Sequence, residues 1–236
     1  MPSSSSHELK ALPKTFVIEL THRCNNRCLY CYTVWGTPDR KQDSGLEAEM
    51  STDEIKQVIS KLKKETPVKS IGLSGGEPLL RADLPEILSF IRDNDIDPLI
   101  ITNGTLLTEN MVSATMVGGT YEVTLLSHRR EIHDKLAGRA GAWECVVEGM
   151  ANIRKAGGCL VMVFIATKLN YMDLYETAKL GIALGADVLI YNRINLGAHN
   201  IGYADQLLPD PTMIQGNLDT LEEIAEKYHL AIGVSV

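Results

Sequence analysis

Short apolar runs recur at even intervals along the chain and predict β-strands. They are rich in Val, Ile and Leu and mostly lack polar alternation, which is typical of strands in a parallel sheet that is covered on both faces. The predicted strands cover residues 15–20, 68–74, 98–102, 121–126, 160–166 and 187–191, and 230–236 is a candidate seventh strand.

Amphipathic patterns between these runs predict helices. Ser51 and Glu54 predict a capping box, and apolar residues at helical spacing follow it. Strand and helix alternate six times, which predicts successive βα units with right-handed crossovers. Six units are fewer than the eight of a closed barrel, so the pattern predicts an α/β fold with an open or partial barrel, or a doubly wound sheet. The remaining predicted helices lie within 84–91, 111–116, 143–153, 171–184 and 212–229.

Composition and charge narrow the classes of protein. The 236 residues suit one or two domains, and 44% hydrophobic residues suffice for one sizeable core. The net charge of -7 argues against a nucleic-acid partner, and no apolar run is long enough to span a membrane. The start of the chain lacks the features of a signal peptide, so we expect a cytoplasmic protein in which thiols stay reduced.

The ends of the chain suggest its domain limits. Residues 1–14 are predicted to be a flexible tail, and residues 15–236 a single α/β domain. The chain ends on an apolar run without a polar cap. We therefore expect that a C-terminal extension is absent from this sequence.

Polar residues follow every predicted strand. Parallel α/β folds bind ligands beyond the carboxyl ends of their strands, so these residues are predicted to form one composite active site. The segments begin with Thr21, His22 and Arg23 after the first strand and continue with residues 74–78, 102–105, 127–130, 167–170 and 192–195.

Three cysteines lie close together in the stretch "CNNRCLYC". Cys24, Cys28 and Cys31 are too few for a structural zinc site, which needs four ligands, and His22 is poorly placed to supply the fourth. A cubane iron–sulfur cluster also normally uses four cysteines. Three thiols would leave one iron open to a small molecule, as a chemically active centre requires. Zinc binding and a chance proximity remain alternatives.

This stretch resembles the cluster-binding signature of the radical S-adenosylmethionine (SAM) enzymes, CxxxCxφC with an aromatic φ, here Tyr30. "GGEP" after the second strand resembles the second motif of that family. The resemblance runs from about residue 15 to about residue 200. It implies a partial (β/α)6 TIM-like barrel, a [4Fe–4S] cluster on the three cysteines, and SAM bound to the fourth iron. It further implies that SAM is cleaved to a 5′-deoxyadenosyl radical, which abstracts hydrogen from a substrate.

The same resemblance implies a set of SAM-binding residues. The glycines of "GGEP" let the backbone approach a ligand, and a glutamate there can accept a hydrogen bond from the SAM ammonium group. An ordinary Gly-Pro or Asn-Gly turn is the alternative for "GGEP" and "TNGT". The predicted contacts are Tyr30, Gly75, Gly76, Glu77, Thr102, Asn103, Ser127 and Arg139.

The stretch "HDKLAGRAG", residues 133–141, is similar to one found in peptide- or protein-modifying, SPASM-type members of the family. Those members commonly carry further cysteines in a C-terminal extension, whereas Cys145 and Cys159 here are interpreted as buried apolar residues. The resemblance implies a peptide substrate and a low-potential electron donor of flavodoxin or ferredoxin type. A small molecule or cofactor precursor is the alternative substrate. An iron–sulfur electron carrier or a zinc-stabilised binding protein is a more remote alternative.

Overall fold

The computed structural model describes residues 12–33, 49–197 and 199–235. Seven strands in these ranges form one parallel sheet, whose spatial order follows the order along the chain. The first and last strands are not paired with each other, so the sheet is open. The strands are β1 (Thr15–Thr21), β2 (Ser70–Gly75), β3 (Asp97–Thr102), β4 (Thr120–Thr124), β5 (Cys159–Ala166), β6 (Val188–Arg193) and β7 (Ala231–Ser235).

The strand order confirms the partial barrel. A doubly wound sheet reverses its strand order at a switch point, whereas this sheet runs from β1 to β7 without reversal. The candidate seventh strand forms and pairs in parallel with β6. The prediction of a tail over residues 1–14 stays a prediction, because residues 1–11 lie outside the described part of the chain.

The helices follow the predicted alternation, with two additions. α1 (Thr52–Glu65) begins at the predicted capping box, in which the Ser51 N–H donates to the Glu54 carboxylate at 2.8 Å. The sequence patterns did not predict α4 (Arg130–Ala137) or α7 (Ala204–Leu207). The helices are α1 (Thr52–Glu65), α2 (Leu84–Asp93), α3 (Glu109–Thr115), α4 (Arg130–Ala137), α5 (Ala142–Lys155), α6 (Leu174–Ala183), α7 (Ala204–Leu207) and α8 (Pro211–Tyr228).

The two faces of the sheet differ in character. One face packs against the helices and carries fully buried side chains such as Ile71, Val123 and Phe164. The alternate residues face the lumen, and some of them are polar, as Glu122 in the middle of β4 and Asn192 near the end of β6 are. The strands therefore alternate more than the continuous apolar runs suggested, because only the helix-facing side is dry along its whole length.

A second, smaller apolar cluster supports the rim of the barrel. It joins α4 and α7 to the segment that follows β1, through partly buried Leu29 and Tyr30. Within the described ranges, no helix has the length and apolar character that crossing a bilayer requires. The fully buried members of the second cluster are Leu126, Leu136, Ala137, Ala142, Ile194 and Leu207.

Candidate active site

A cavity of about 1240 Å³ lies in the lumen and reaches the segments that follow β1, β2 and β3. All three clustered cysteines line it, whereas the polar segments 127–130 and 167–170, predicted to share the same site, do not. Glu77, Ser127 and Arg139 do not line it. The predicted SAM contacts that do are Tyr30, Gly75, Gly76, Thr102 and Asn103.

Two glycines hold the start of the cysteine loop, which we define as residues 22–33. The Gly76 N–H donates to the Thr21 carbonyl at 2.7 Å, and the Glu77 N–H donates to the Arg23 carbonyl at 2.8 Å. A Cβ on Gly76 would lie 2.2 Å from the Arg23 oxygen, and Gly75 has a φ of 128°. The close approach and the positive φ both require glycine, so this motif positions the loop.

The C-terminal end of α4 holds the middle of the cysteine loop. The Arg27 and Leu29 N–H groups donate to the carbonyls of Ala137 and Leu136, at 3.1 and 2.9 Å. Gly138 ends α4 with a φ of 62°, and a Cβ there would lie 2.0 Å from the Arg27 oxygen. The last helical carbonyls, which have no partner within a helix, are thus satisfied by the loop.

Arg139 continues this contact. Its guanidinium donates to the Asn25 carbonyl at 3.5 Å, so it lies beside the loop and outside the cavity wall. The SAM contact predicted for Arg139 stays a prediction.

The segment after β6 holds the end of the cysteine loop. The fully buried Asn200 side chain donates to the Tyr30 carbonyl at 2.9 Å and accepts from the Gly197 N–H at 2.7 Å. A Cβ on Gly197 would lie 2.0 Å from the Tyr32 oxygen. Sequence reasoning missed this anchor, because no local pattern distinguishes Asn200 from an ordinary loop asparagine.

The "HD" pair of residues 133–141 has a structural role. The buried His133 accepts the Leu126 N–H on Nδ1 at 3.2 Å. The Asp134 carboxylate accepts the N–H groups of Gly141 and Trp143, at 2.8 and 2.9 Å, at the start of α5. Burial lowers the pKa of His133 to about 4, so its ring is neutral near pH 7. Together these bonds fix the end of α4 that carries the cysteine loop.

Glu77 lies beneath the cavity and is fully buried. Its carboxylate accepts the Thr102 hydroxyl at 2.7 Å, the Asn103 N–H at 2.8 Å and the Leu79 N–H at 3.1 Å. Burial raises the pKa of Glu77 to about 7, while these three donors oppose that rise. Glu77 thus positions the "TNGT" turn, and its predicted role in binding the SAM ammonium group stays a prediction.

The "TNGT" turn connects Glu77 to the cysteine loop. The Asn103 side chain donates to the Asn25 side chain at 2.9 Å and approaches the Cys24 sulfur at 3.9 Å. The Asn25 side chain also donates to the Thr105 hydroxyl at 2.8 Å. The predicted Thr102 and Asn103 contacts are thus brought to the thiols.

Ser127 is placed elsewhere. It is fully buried, and its hydroxyl donates to Asp173 at 2.6 Å and accepts the Arg129 N–H at 2.9 Å. Arg129 also pairs with Asp173 at 2.8 Å. The hydroxyl of Ser127 is thus used within this network, and its predicted SAM contact stays a prediction.

Glu49 is a site residue that the sequence patterns did not reveal. It accepts hydrogen bonds from the Thr21 hydroxyl and from Arg23, the latter at 3.3 Å, and lies 3.5 Å from His22. Partial burial opposes ionisation of Glu49, but these donors and cations hold its pKa below the usual value. The carboxylate thereby ties the first residues of the cysteine loop to the cavity wall.

The environment of the thiols fits an iron–sulfur cluster. Burial raises the pKa of Cys28 to about 12, although a hydrogen bond from Tyr30 acts in the opposite direction. Burial also raises the pKa of Cys24. Repulsion from Glu77 and Cys31 adds to the shift of Cys24, and repulsion from Cys24 and Cys31 adds to that of Cys28, so a cationic centre would relieve this repulsion. Three thiols on one loop in the cavity wall would supply one ligand to each of three irons, as a cluster with one open iron requires.

Comparison with known proteins agrees with this geometry. The family model of the radical SAM superfamily matches residues 18–181, which carry the cysteine loop, β2 to β5 and α4. The chain belongs to the radical SAM superfamily. Radical SAM proteins use a [4Fe–4S] cluster and SAM as cofactors.

The similar radical SAM relatives act on different substrates. The chain is 34% identical to the Fe-coproporphyrin III synthase of Methanosarcina barkeri, over 74% of this chain and 42% of that protein. It is 27% identical to the PqqA peptide cyclase of Granulibacter bethesdensis, over 91% of this chain and 56% of that protein. It is 30% identical to the "Probable GTP 3′,8-cyclase" of Methanocaldococcus jannaschii, over 86% of this chain and 66% of that protein. The chain thus spans about half the length of the curated relatives it matches.

Two solved radical SAM structures share the fold. SuiB of Streptococcus suis, bound to S-adenosylmethionine, superposes with a TM-score of 0.77 at 14% identity, over 95% of this chain and 50% of SuiB. The anSMEcpe protein with bound AdoMet superposes with a TM-score of 0.73 at 15% identity, over 94% of this chain and 61% of anSMEcpe. At these identities the comparison establishes the partial barrel alone.

Proposed function

We propose that this chain is the catalytic core of a radical SAM enzyme that modifies a peptide or protein. Cys24, Cys28 and Cys31 would hold the [4Fe–4S] cluster, and SAM would bind in the lumen beside Gly75 and Gly76. With both cofactors bound, reductive cleavage of SAM supplies a 5′-deoxyadenosyl radical that abstracts hydrogen from the substrate. The single observation that carries the proposal is a cavity lined by three thiols on a loop that the glycines hold.

The residues of this chain prepare the site before any ligand arrives. The cysteine loop is anchored from β2, from α4 and from the segment after β6, and Asn103 connects it to the "TNGT" turn. Such anchoring lowers the cost of ordering the loop when the cofactors bind. Gly75 and Gly76 line the cavity on the same side as the thiols, which places their backbone beside the space that SAM would occupy.

One comparison supports a peptide as the substrate. The PqqA peptide cyclase matches over 91% of the chain, a larger share than the 74% of the Fe-coproporphyrin III synthase. A small molecule or cofactor precursor is the second candidate. The Fe-coproporphyrin III synthase favours it, because its 34% identity to this chain exceeds the 27% of the PqqA peptide cyclase.

The proposal also names conditions and partners. A low-potential flavodoxin or ferredoxin would supply the electron. All five cysteines are free thiols in the structure, which suits a reducing compartment such as the cytoplasm. No nucleic acid and no membrane are part of the proposed reaction.

The experiment is anaerobic reconstitution of the chain with iron and sulfide, followed by reduction in the presence of SAM. Formation of 5′-deoxyadenosine supports the radical SAM assignment, and its absence with a full cluster contradicts it. Candidate peptides are then added, and a mass loss of two hydrogens or uptake of solvent deuterium identifies a peptide substrate. Turnover of small molecules alone would favour the second candidate.

A further inference from the structure

One carboxylate in the wall of the cavity has no partner. Glu122 faces the lumen from β4, where its neighbours in register are Ile101 on β3 and Val161 on β5. No described residue forms a hydrogen bond or an ion pair with its side chain. Burial raises the pKa of Glu122, and no attraction offsets the shift. A half-buried carboxylate that lines a cavity and has no partner among the described residues is a candidate binding group for a ligand.

The charges around the lumen indicate the sign of that ligand. Among the described residues, the basic side chains that line the cavity are His22, Arg23 and Arg27, and all three belong to the cysteine loop. The strands contribute no lysine or arginine to the described cavity wall. Arg23 and His22 already lie against Glu49. The deep part of the cavity is therefore complementary to a cation and unfavourable to an anion.

A second polar atom lies nearer the rim. The Asn192 Oδ1 atom on β6 is buried and has no hydrogen-bond partner among the described residues. Asn192 pairs in register with Ile165, whereas Glu122 pairs with Val161, four positions earlier on β5. At about 3.3 Å per residue the two levels are roughly 13 Å apart along the strand. One elongated ligand could reach both, and a compact one could not.

We propose that Glu122 and Asn192 bind the substrate, with Glu122 taking the ammonium or guanidinium group of a lysine or arginine side chain. Asn192 accepts an N–H of the peptide backbone at the rim, from which the side chain extends into the lumen. This inference rests on the proposed function, because it gives the peptide its chemistry within the same cavity. A polyanion, such as a nucleoside triphosphate or a polycarboxylate, does not fit this wall.

The test compares three blocked pentapeptides on the reconstituted protein with SAM bound. Their central residue is lysine, its neutral analogue norleucine, or glutamate, between pairs of glycines. We expect the lysine peptide to bind about tenfold or more tightly than the norleucine peptide, since a charged hydrogen bond is lost in the latter. The glutamate peptide should bind most weakly. Anaerobic titration calorimetry measures the dissociation constants.

Variants assign the preference to a residue. Glu122→Gln should abolish the preference for the lysine peptide. Asn192→Val should lower the affinity for the lysine and norleucine peptides by the same factor. Glu222→Gln removes the same charge from an exposed position of α8 and should preserve the preference. Iron content and circular dichroism verify that each variant is folded. If Glu122→Gln fails to fold, the order of the three dissociation constants on the wild-type protein still tests whether the cavity prefers a cationic side chain.

Two results would overturn the inference: equal binding of the lysine and norleucine peptides, or a lysine preference that survives Glu122→Gln. Its failure is distinct from failure of the proposed function. A protein that forms 5′-deoxyadenosine but shows no lysine preference keeps the function and loses this site. A protein that prefers lysine but does not cleave SAM keeps the site and loses the function.

Discussion

Gly138 offers a direct test of how the cysteine loop is held. In Gly138→Ala the new Cβ would lie 2.0 Å from the Arg27 carbonyl oxygen, whereas ordinary contact begins at 3.4 Å. The loop must therefore retreat by more than about 1 Å, and the two backbone hydrogen bonds from Arg27 and Leu29 are lost or stretched. The α4 helix cannot yield as easily, because Leu136 and Ala137 are buried in the apolar cluster beneath it.

The expected magnitude follows from these contacts. Alanine in the left-handed region costs about 1–2 kcal/mol, and two lost hydrogen bonds cost about 1 kcal/mol each. Gly141→Ala is a matched control, because Gly141 has a φ of 76° but no atom within 4 Å of its Cβ position. We expect about 1–2 kcal/mol of destabilisation for Gly141→Ala and about 3–4 kcal/mol for Gly138→Ala. For a domain of this size, each kcal/mol lowers the melting temperature by about 2–4 °C.

The assay combines urea denaturation with iron analysis after reconstitution. Gly138→Ala should retain much less iron than the wild type, because Cys28 lies on the displaced part of the loop. Gly141→Ala should retain the wild-type amount. If the two variants lose the same stability and the same iron, the contact between α4 and the cysteine loop does not position the thiols.

Three further predictions concern single residues. Cys28→Ala should lose the cluster and all SAM cleavage, and Cys145→Ala should lose neither; unchanged iron in the first contradicts the assignment. Glu77→Gln should weaken SAM binding about tenfold in calorimetry with iron retained, because the amide of glutamine faces the Asn103 N–H; equal affinity contradicts this. The lowered pKa of His133 contributes up to about 3 kcal/mol of stability, present above pH 6.5 and lost as the pH falls through 4. His133→Asn keeps a hydrogen-bond acceptor for the Leu126 N–H but does not take up a proton in this range. Its free energy of unfolding in urea should therefore fall less than that of the wild type as the pH decreases from 6.5 to 4. An equal fall in both proteins would refute the argument.

The periodic part of the fold was predictable from the sequence. The strands, the capping box at Ser51 and the candidate β7 follow from local apolar spacing, which a parallel sheet and its helices both obey. α4 escaped prediction because its eight residues are mostly polar and its buried face is short, with His133 among the buried residues. Its role depends on a loop more than 100 residues earlier in the chain.

The site was predictable in its residue types but less so in its contacts. The cysteines and the glycines after β2 meet as expected, since strand ends share one edge of the sheet. Glu77 and Ser127 instead turn their polar atoms toward partners that only the tertiary structure supplies. Asn200 and Glu122 carry no motif, because a buried anchor and an unpartnered carboxylate are defined by their surroundings.

The anchors of the cysteine loop also determine when the site can form. The bond between Asn200 and Tyr30 spans 170 residues, so the loop leaves the ribosome long before its last anchor is synthesised. At about 5–20 residues per second the delay is on the order of ten seconds. During that time the three thiols belong to a chain without a lumen. Assembly of a cluster on the fully anchored loop therefore has to follow the synthesis of Asn200, and a growth condition that slows translation lengthens that interval.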